Sequence, residues 1–194
     1  MKDANIVLFG DSYTAGRLPG IQTDGALKKH LKRVIQDYAK SGSTAAQWAC
    51  DQPRLKAVRA SPAYIAVGSL GGNDAFAALS DGVVTWGEKT SSMISLTLVL
   101  SRIAAKKPVL LMLYPNPYMG VPDKLPDAAD KVRGLNELIS SIADVINLSG
   151  HNPVMLLDLG TVLRPEHFDG TDIHPNEAGY RAMAAAVMDV IARM

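Results

Sequence analysis

The chain has 194 residues, 47% of them hydrophobic and 20% charged, a composition that fits one globular domain spanning 1–194 and excludes both a disordered chain and a multidomain machine. Twenty basic residues against nineteen acidic ones leave a net charge of +1, with the two signs interspersed, so no nucleic acid or anionic lipid partner is expected. The longest apolar runs, Val109 to Tyr114 and Ala182 to Met188, fall far short of the roughly 18 residues that a membrane-spanning helix needs, and no membrane span is expected.

In chain order, Met1 to Asn5 lead directly into a short apolar run without the longer apolar core and small-residue cleavage site of a signal peptide, which favours a cytoplasmic location. The first strand is expected over Asn5 to Phe9 and ends in Gly10-Asp11-Ser12-Tyr13-Thr14-Ala15-Gly16. A helix-like segment follows at Thr23 to Lys32, then a strand at Val34 to Ala39 and the turn Ser41-Gly42-Ser43-Thr44. Ala45 to Ala60 reads as one helix, and Cys50 within it, the only cysteine, as a buried thiol with no disulfide partner.

The third strand, Ala63 to Val67, is followed by Gly71-Gly72-Asn73-Asp74 and a helix over Val83 to Lys106. The fourth, Pro108 to Tyr114, opens into the proline-rich loop Pro115 to Pro126, which is placed either to border a site or to serve as a rigid connection. In the next helix, Asp127 to Leu148, the residues Val132, Leu135, Leu138, Ile139, Ile142, Val145 and Ile146 recur at three- and four-residue steps and form one apolar stripe. The last strand, Pro153 to Asp158, leads through a loop containing Asp169-Gly170-Thr171-Asp172-Ile173-His174-Pro175-Asn176 to a helix over Asn176 to Met194.

The strand runs are rich in Val, Ile and Leu, mostly lack polar alternation, and are bounded by Gly, Pro or Asn, as in a parallel sheet covered on both faces. Their alternation with helices gives repeated β-α-β crossovers. With right-handed crossovers, the economical arrangement is a three-layer α/β/α sandwich.

The chemistry gathers in the loops after the strands. A serine between glycines just after the first strand can present its hydroxyl at the rim of the sheet, and Ser12 is the candidate nucleophile. It needs a base. Of the four histidines, His30 sits among Lys28, Lys29, Lys32 and Arg33 on an apparent solvated face, His151 lies in a Gly-His-Asn-Pro turn, and His167 lies in a loop near the last motif. His174 is the best base, because loops after the first and last strands can emerge at the same sheet edge. Pro175 keeps its loop from becoming helix early, and Asn176 can cap the helix that follows. Gly42 can offer an unobstructed backbone N–H, and Asn73 its side-chain amide, to a developing oxyanion.

These four blocks, Gly10-Asp11-Ser12-Tyr13, Gly42, Gly71-Gly72-Asn73-Asp74 and His174-Pro175-Asn176, resemble those of the SGNH (GDSL-type) hydrolase superfamily, in the same order and over Phe9 to Tyr180. The resemblance implies a flavodoxin-like α/β/α fold with a five-stranded parallel sheet in the order 2-1-3-4-5. It further implies that Ser12 is nucleophile and amide donor, that Gly42 and Asn73 complete the oxyanion hole, and that His174 is the base.

The sequence departs from the family pattern at two places. Tyr13 stands where the motif's name has leucine, and the position three before the histidine, usually aspartate, is Thr171. Asp172 is therefore the first candidate for the third catalytic residue and Asp169 the second, with a backbone carbonyl as the remaining alternative.

The expected activity is hydrolysis of carboxylic esters with small acyl or O-acetyl groups, on small molecules or carbohydrate, through an acyl-enzyme and with no metal or cofactor. The alternatives are a lysophospholipase or thioesterase, and a degraded glycan- or lipid-binding module of the same fold. Leu18, Pro19, Phe76, Tyr118 and Met119 are candidate rim residues.

Overall fold

A computed structural model describes residues 5–20, 24–75, 86–120 and 128–194, without the side chains of 86–89 and of Tyr118. The five apolar runs form strands β1 (Ile6–Gly10), β2 (Val34–Asp37), β3 (Ile65–Ser69), β4 (Val109–Leu113) and β5 (Val154–Asp158). All neighbours pair in parallel, in the order β2-β1-β3-β4-β5. The three inner strands are buried along their whole length, which accounts for their unbroken apolar sequences. The two edge strands correct the expectation of burial on both faces. Ile35 of β2 is 41% exposed and Met155 to Leu157 of β5 are only half-buried, because an edge strand has a neighbour on one side only.

The helices are α1 (Ser12–Ala15), α2 (Ala26–His30), α3 (Ala45–Cys50), α4 (Gln52–Ala60), α5 (Trp86–Ala104), α6 (Ala128–Leu148) and α7 (Glu177–Arg193). They pack in two groups, α2 against α7, and α3 and α4 against α5, which in turn packs on α6. The connection from β1 to β2 runs along the sheet in the opposite sense to those from β2 through β5. Right-handed crossovers therefore place the two groups on opposite faces of the sheet. Thr23, Val83 to Thr85 and Asp127, at the ends of expected helices, lie outside the described residues.

Three local expectations are corrected. The single helix over Ala45 to Ala60 is two, broken at Asp51, whose carboxylate accepts the Arg54 N–H at 3.0 Å and caps α4. Pro53, with no N–H to give, sits in the first turn of α4, where none is needed. Cys50 is exposed: two residues on from the buried Trp48 is about 200° around a helix, so the thiol faces away from the core. On α6, Val132, Leu135, Ile139, Ile142 and Ile146 are buried, but Val145 is 63% exposed and lies beyond the edge of the stripe.

One contact ties this core to the rim. The Trp48 ring meets Phe9 edge-on, with centroids 6.1 Å apart, and its Nε1–H donates to the Gly10 carbonyl at 3.3 Å. Gly10 turns with φ 111°, and a Cβ there would lie 1.9 Å from the Ser69 carbonyl oxygen, so only glycine lets β1 end this close to β3.

Candidate active site

Ser12 opens α1 directly beyond β1 and is 7% exposed. The preceding Asp11 caps this short helix by accepting the Tyr13 N–H at 3.2 Å. Gly16 closes it in the left-handed conformation, with φ 75°. These caps fix the serine at the carboxyl edge of the sheet.

His174 comes to the same edge from the loop after β5. Its Nε2 lies 2.8 Å from Ser12 Oγ and its Nδ1 2.6 Å from Asp172 Oδ1, although Ser12 and His174 are 162 residues apart in sequence. A carboxylate can only accept, so the neutral ring carries its proton on Nδ1 and leaves Nε2 free to accept from the serine hydroxyl. Asp172 Oδ1 also accepts the His174 backbone N–H at 3.2 Å, closing the loop on itself. Asn176 caps α7 by accepting the Gly179 N–H at 3.0 Å, which anchors the other side of the loop. Asp169 is exposed, and the carboxylate at the imidazole is that of Asp172.

Electrostatics follow from burial and pairing. Burial lowers the His174 pKa below its ordinary value and outweighs the opposing pull of Asp172; Arg17 also lowers it and Asp24 raises it. Burial raises the Asp172 carboxyl, but the charge and hydrogen bonds of His174 prevail and hold it below the usual carboxylate range. The His174 imidazole is thus neutral, and its carboxylate partner ionised, near neutral pH.

Gly42 follows β2 with φ 78°, is exposed, and has open space where a side chain would project. Asn73 lies in a short helical turn at 72–75, and its Nδ2–H donates to the Ser43 carbonyl at 3.0 Å, which joins it to the Gly42 turn. Asp74 accepts the Ala45 N–H at 2.8 Å and clasps the start of α3 to the same turn. The Lys40 N–H donates to the Gly10 carbonyl at 2.9 Å, so both segments are moored to the end of β1.

Behind Ser12 is a buried network that sequence reasoning missed. Asp11, 1% exposed, accepts the Ser69 hydroxyl at 2.6 Å and the Tyr114 hydroxyl. The Tyr114 oxygen accepts the Gly72 N–H at 2.9 Å. Burial pushes Asp11 up to about 6, against the hydrogen bonds that favour its charged form. The network joins the serine turn to the Gly72-Asn73 turn through the ends of β3 and β4. Its one sequence signal is polar residues, Ser69 and Tyr114, ending or just following strands that are otherwise apolar.

The other histidines stand apart from this cluster. His30 is not on a freely solvated face: its Nε2 lies 2.9 Å from Glu177 Oε1 on α7, which Lys29 also meets at 2.6 Å. His151 is exposed, and His167 Nδ1 accepts the Arg164 N–H at 3.1 Å. Of the rim candidates, Leu18 and Met119 pack against the core and Pro19 is half-buried. Phe76 and the Tyr118 side chain lie outside the described residues, as do Val121 to Pro126 of the proline-rich loop. A cavity of about 620 Å³ beyond β4 and β5 is lined by Asn116, Arg133, Asn136 and Glu137 among others, and by neither Ser12 nor His174. Among the described residues no group of three or more His, Cys, Asp or Glu could hold a metal ion, and no helix is long and apolar enough to cross a membrane.

A parallel sheet in this order, with a serine turn beyond its first strand and a histidine loop beyond its last, is the arrangement that the resemblance to SGNH-type hydrolases implies. The model of the GDSL-like lipase/acylhydrolase family matches residues 8–182, and the chain belongs to that family and is a hydrolase acting on esters. No curated protein matches the chain.

Among solved structures it is similar to an α/β hydrolase from the metagenome of Lake Arreo, Spain, with 19% identity, 97% of this chain and 95% of that one covered, and a TM-score of 0.70. It is also similar to an aryl esterase of M. smegmatis, with 20% identity, 98% and 99% covered, and a TM-score of 0.67. A carbohydrate acetylesterase from Sinorhizobium meliloti has 19% identity, 98% and 99% covered, and a TM-score of 0.67. At these identities the likeness is one of fold.

Proposed function

We propose that the protein is a serine esterase acting through an acyl-enzyme. The observation that carries this reading is the hydrogen-bonded line from Ser12 Oγ to His174 Nε2 at 2.8 Å and from His174 Nδ1 to Asp172 at 2.6 Å. His174 takes the Ser12 proton as the hydroxyl attacks the ester carbonyl, and Asp172 fixes the ring and stabilises the imidazolium. The backbone N–H groups of Ser12 and Gly42, with the Asn73 amide, hold the oxyanion; each such donor is worth roughly 3 kcal/mol in the transition state. His174 returns the proton to the departing alcohol. Water then repeats the sequence and frees the acid.

The substrates are esters of small acyl groups, O-acetyl groups on carbohydrate included. The reading is supported by two proteins of similar fold, an aryl esterase and a carbohydrate acetylesterase.

The test is a series of 4-nitrophenyl esters of increasing acyl length, run beside acetylated sugars across a range of pH. The expected result is a kcat/KM that falls with acyl length, on an acid limb that rises as His174 loses its proton. Because burial lowers that imidazole, the midpoint lies below the ordinary histidine value of about 6.5. Preference for long acyl chains would overturn the substrate reading, and no turnover of any member would overturn the esterase reading.

A further inference from the structure

The link between the candidate base and its carboxylate is one residue, Ile173. So short a link draws the Asp172 carboxylate over both the backbone N–H and the ring of His174, at 3.2 and 2.6 Å. The carbonyl of the linking residue is held from outside the loop. It accepts a hydrogen bond from the Tyr13 hydroxyl at 2.7 Å, across 160 residues of sequence.

Tyr13 is the neighbour of Ser12 and is 4% exposed. Its ring lies against the His174 imidazole, with centroids 5.7 Å apart, and meets the Tyr114 ring edge-on at 5.4 Å. On another side of the loop, Gly120 presses so close that a Cβ would lie 2.2 Å from the Asp172 carbonyl oxygen and 3.0 Å from Ile173 Cα. The link is thus gripped by the Tyr13 phenol and by the Gly120 backbone. Burial raises the phenol's pKa, with the charges of Asp11 and Asp172 adding to the shift, so the hydroxyl keeps its proton and remains a donor.

We infer that Tyr13 is a positioning residue: by holding the Ile173 carbonyl, its hydroxyl sets the His174 imidazole at hydrogen-bonding distance from Ser12. A leucine at this position would fill the space beside the ring but could not hold the carbonyl. The residue beside the serine and the residue beside the histidine therefore form one unit, and the departure at Tyr13 serves the departure that leaves Thr171 three before the histidine and the carboxylate at Asp172. The inference rests on the serine reaction proposed above.

The test compares Tyr13→Phe, which keeps the ring and removes only the hydroxyl, with the unaltered protein, at a temperature well below the melting transition of either. The expected result is a fall in kcat of about tenfold with KM little changed, since losing the bond costs alignment of the base and not substrate binding. The His174 titration, followed by NMR in the Ser12→Ala background where turnover plays no part, is expected to move up towards the ordinary histidine value as the loosened ring reaches water. An unchanged kcat together with an unchanged His174 titration would overturn the inference. If Ser12→Ala itself kept full turnover, the serine reaction would fail, while the NMR titration would still report whether Tyr13 holds the imidazole.

Discussion

Ser12→Ala is expected to lower kcat for a short-chain aryl ester by about 10⁴- to 10⁶-fold, roughly 5 to 8 kcal/mol of barrier. The loss is large because the hydroxyl is the atom that attacks. Without it the remaining groups can only direct a water at the carbonyl, and what survives is the contribution of binding and of the oxyanion donors. The fold is expected to persist. Ser12 Oγ bonds only to His174 among the described residues, whereas the turn is held by other groups: the Asp11 N–H on the Ser69 carbonyl at 3.0 Å, the Tyr13 hydroxyl on Ile173, and the Trp48 indole on Gly10. A melting temperature within a few degrees of the unaltered protein, measured beside the rate, separates lost chemistry from lost structure. Activity within tenfold of the parent would remove Ser12 from its role.

Asp172→Asn is expected to cost about 10²- to 10⁴-fold in kcat. The substitution keeps the size of the side chain, and its amide oxygen can still accept the His174 backbone N–H. The amide NH₂ can also turn towards Nδ1, which then becomes an acceptor and places the ring proton on Nε2, facing Ser12. That tautomer cannot take the serine proton. Asp172 is 27% exposed in its side chain, so water reaches the pair and the lower part of this range applies if solvent restores the useful tautomer.

A second consequence distinguishes this from general damage. Asp172 raises the His174 pKa against burial, so the asparagine variant's acid limb moves to lower pH. A rate within threefold of the parent would leave the carboxylate without a catalytic part, and the same substitution at the exposed Asp169 should leave the rate unchanged.

The sheet was legible because β1, β3 and β4 are buried throughout and write that burial into unbroken apolar runs. The edges were less so: β2 carries Val and Ile yet is half open to solvent, and composition alone does not tell an edge from a centre. The break at Asp51 had a readable signal, an acid two residues before Pro53, but the apolar spacing across it suggested one continuous helix. Cys50 was misplaced for the same reason, since its orientation depends on α3 being a short helix anchored by Trp48.

At the site, Ser12, His174, Gly42 and Asn73 stood out because each follows a strand in a loop whose residues have a chemical use. Asp172 could be named only beside Asp169, because loop conformation decides which carboxylate reaches Nδ1. The Tyr13 bond to Ile173 and the chain from Gly72 through Tyr114 to Asp11 were hidden from the sequence, since they join residues 160 and more than 40 positions apart.

The central claim is that His174 makes Ser12 a nucleophile. The direct measurement is the intact mass of the protein after brief exposure to a fluorophosphonate, followed by peptide mapping. The account predicts one adduct per chain, on Ser12, formed quickly near neutral pH and absent when His174 is replaced by alanine. A protein that stays unlabelled, or that labels at another residue, would contradict it.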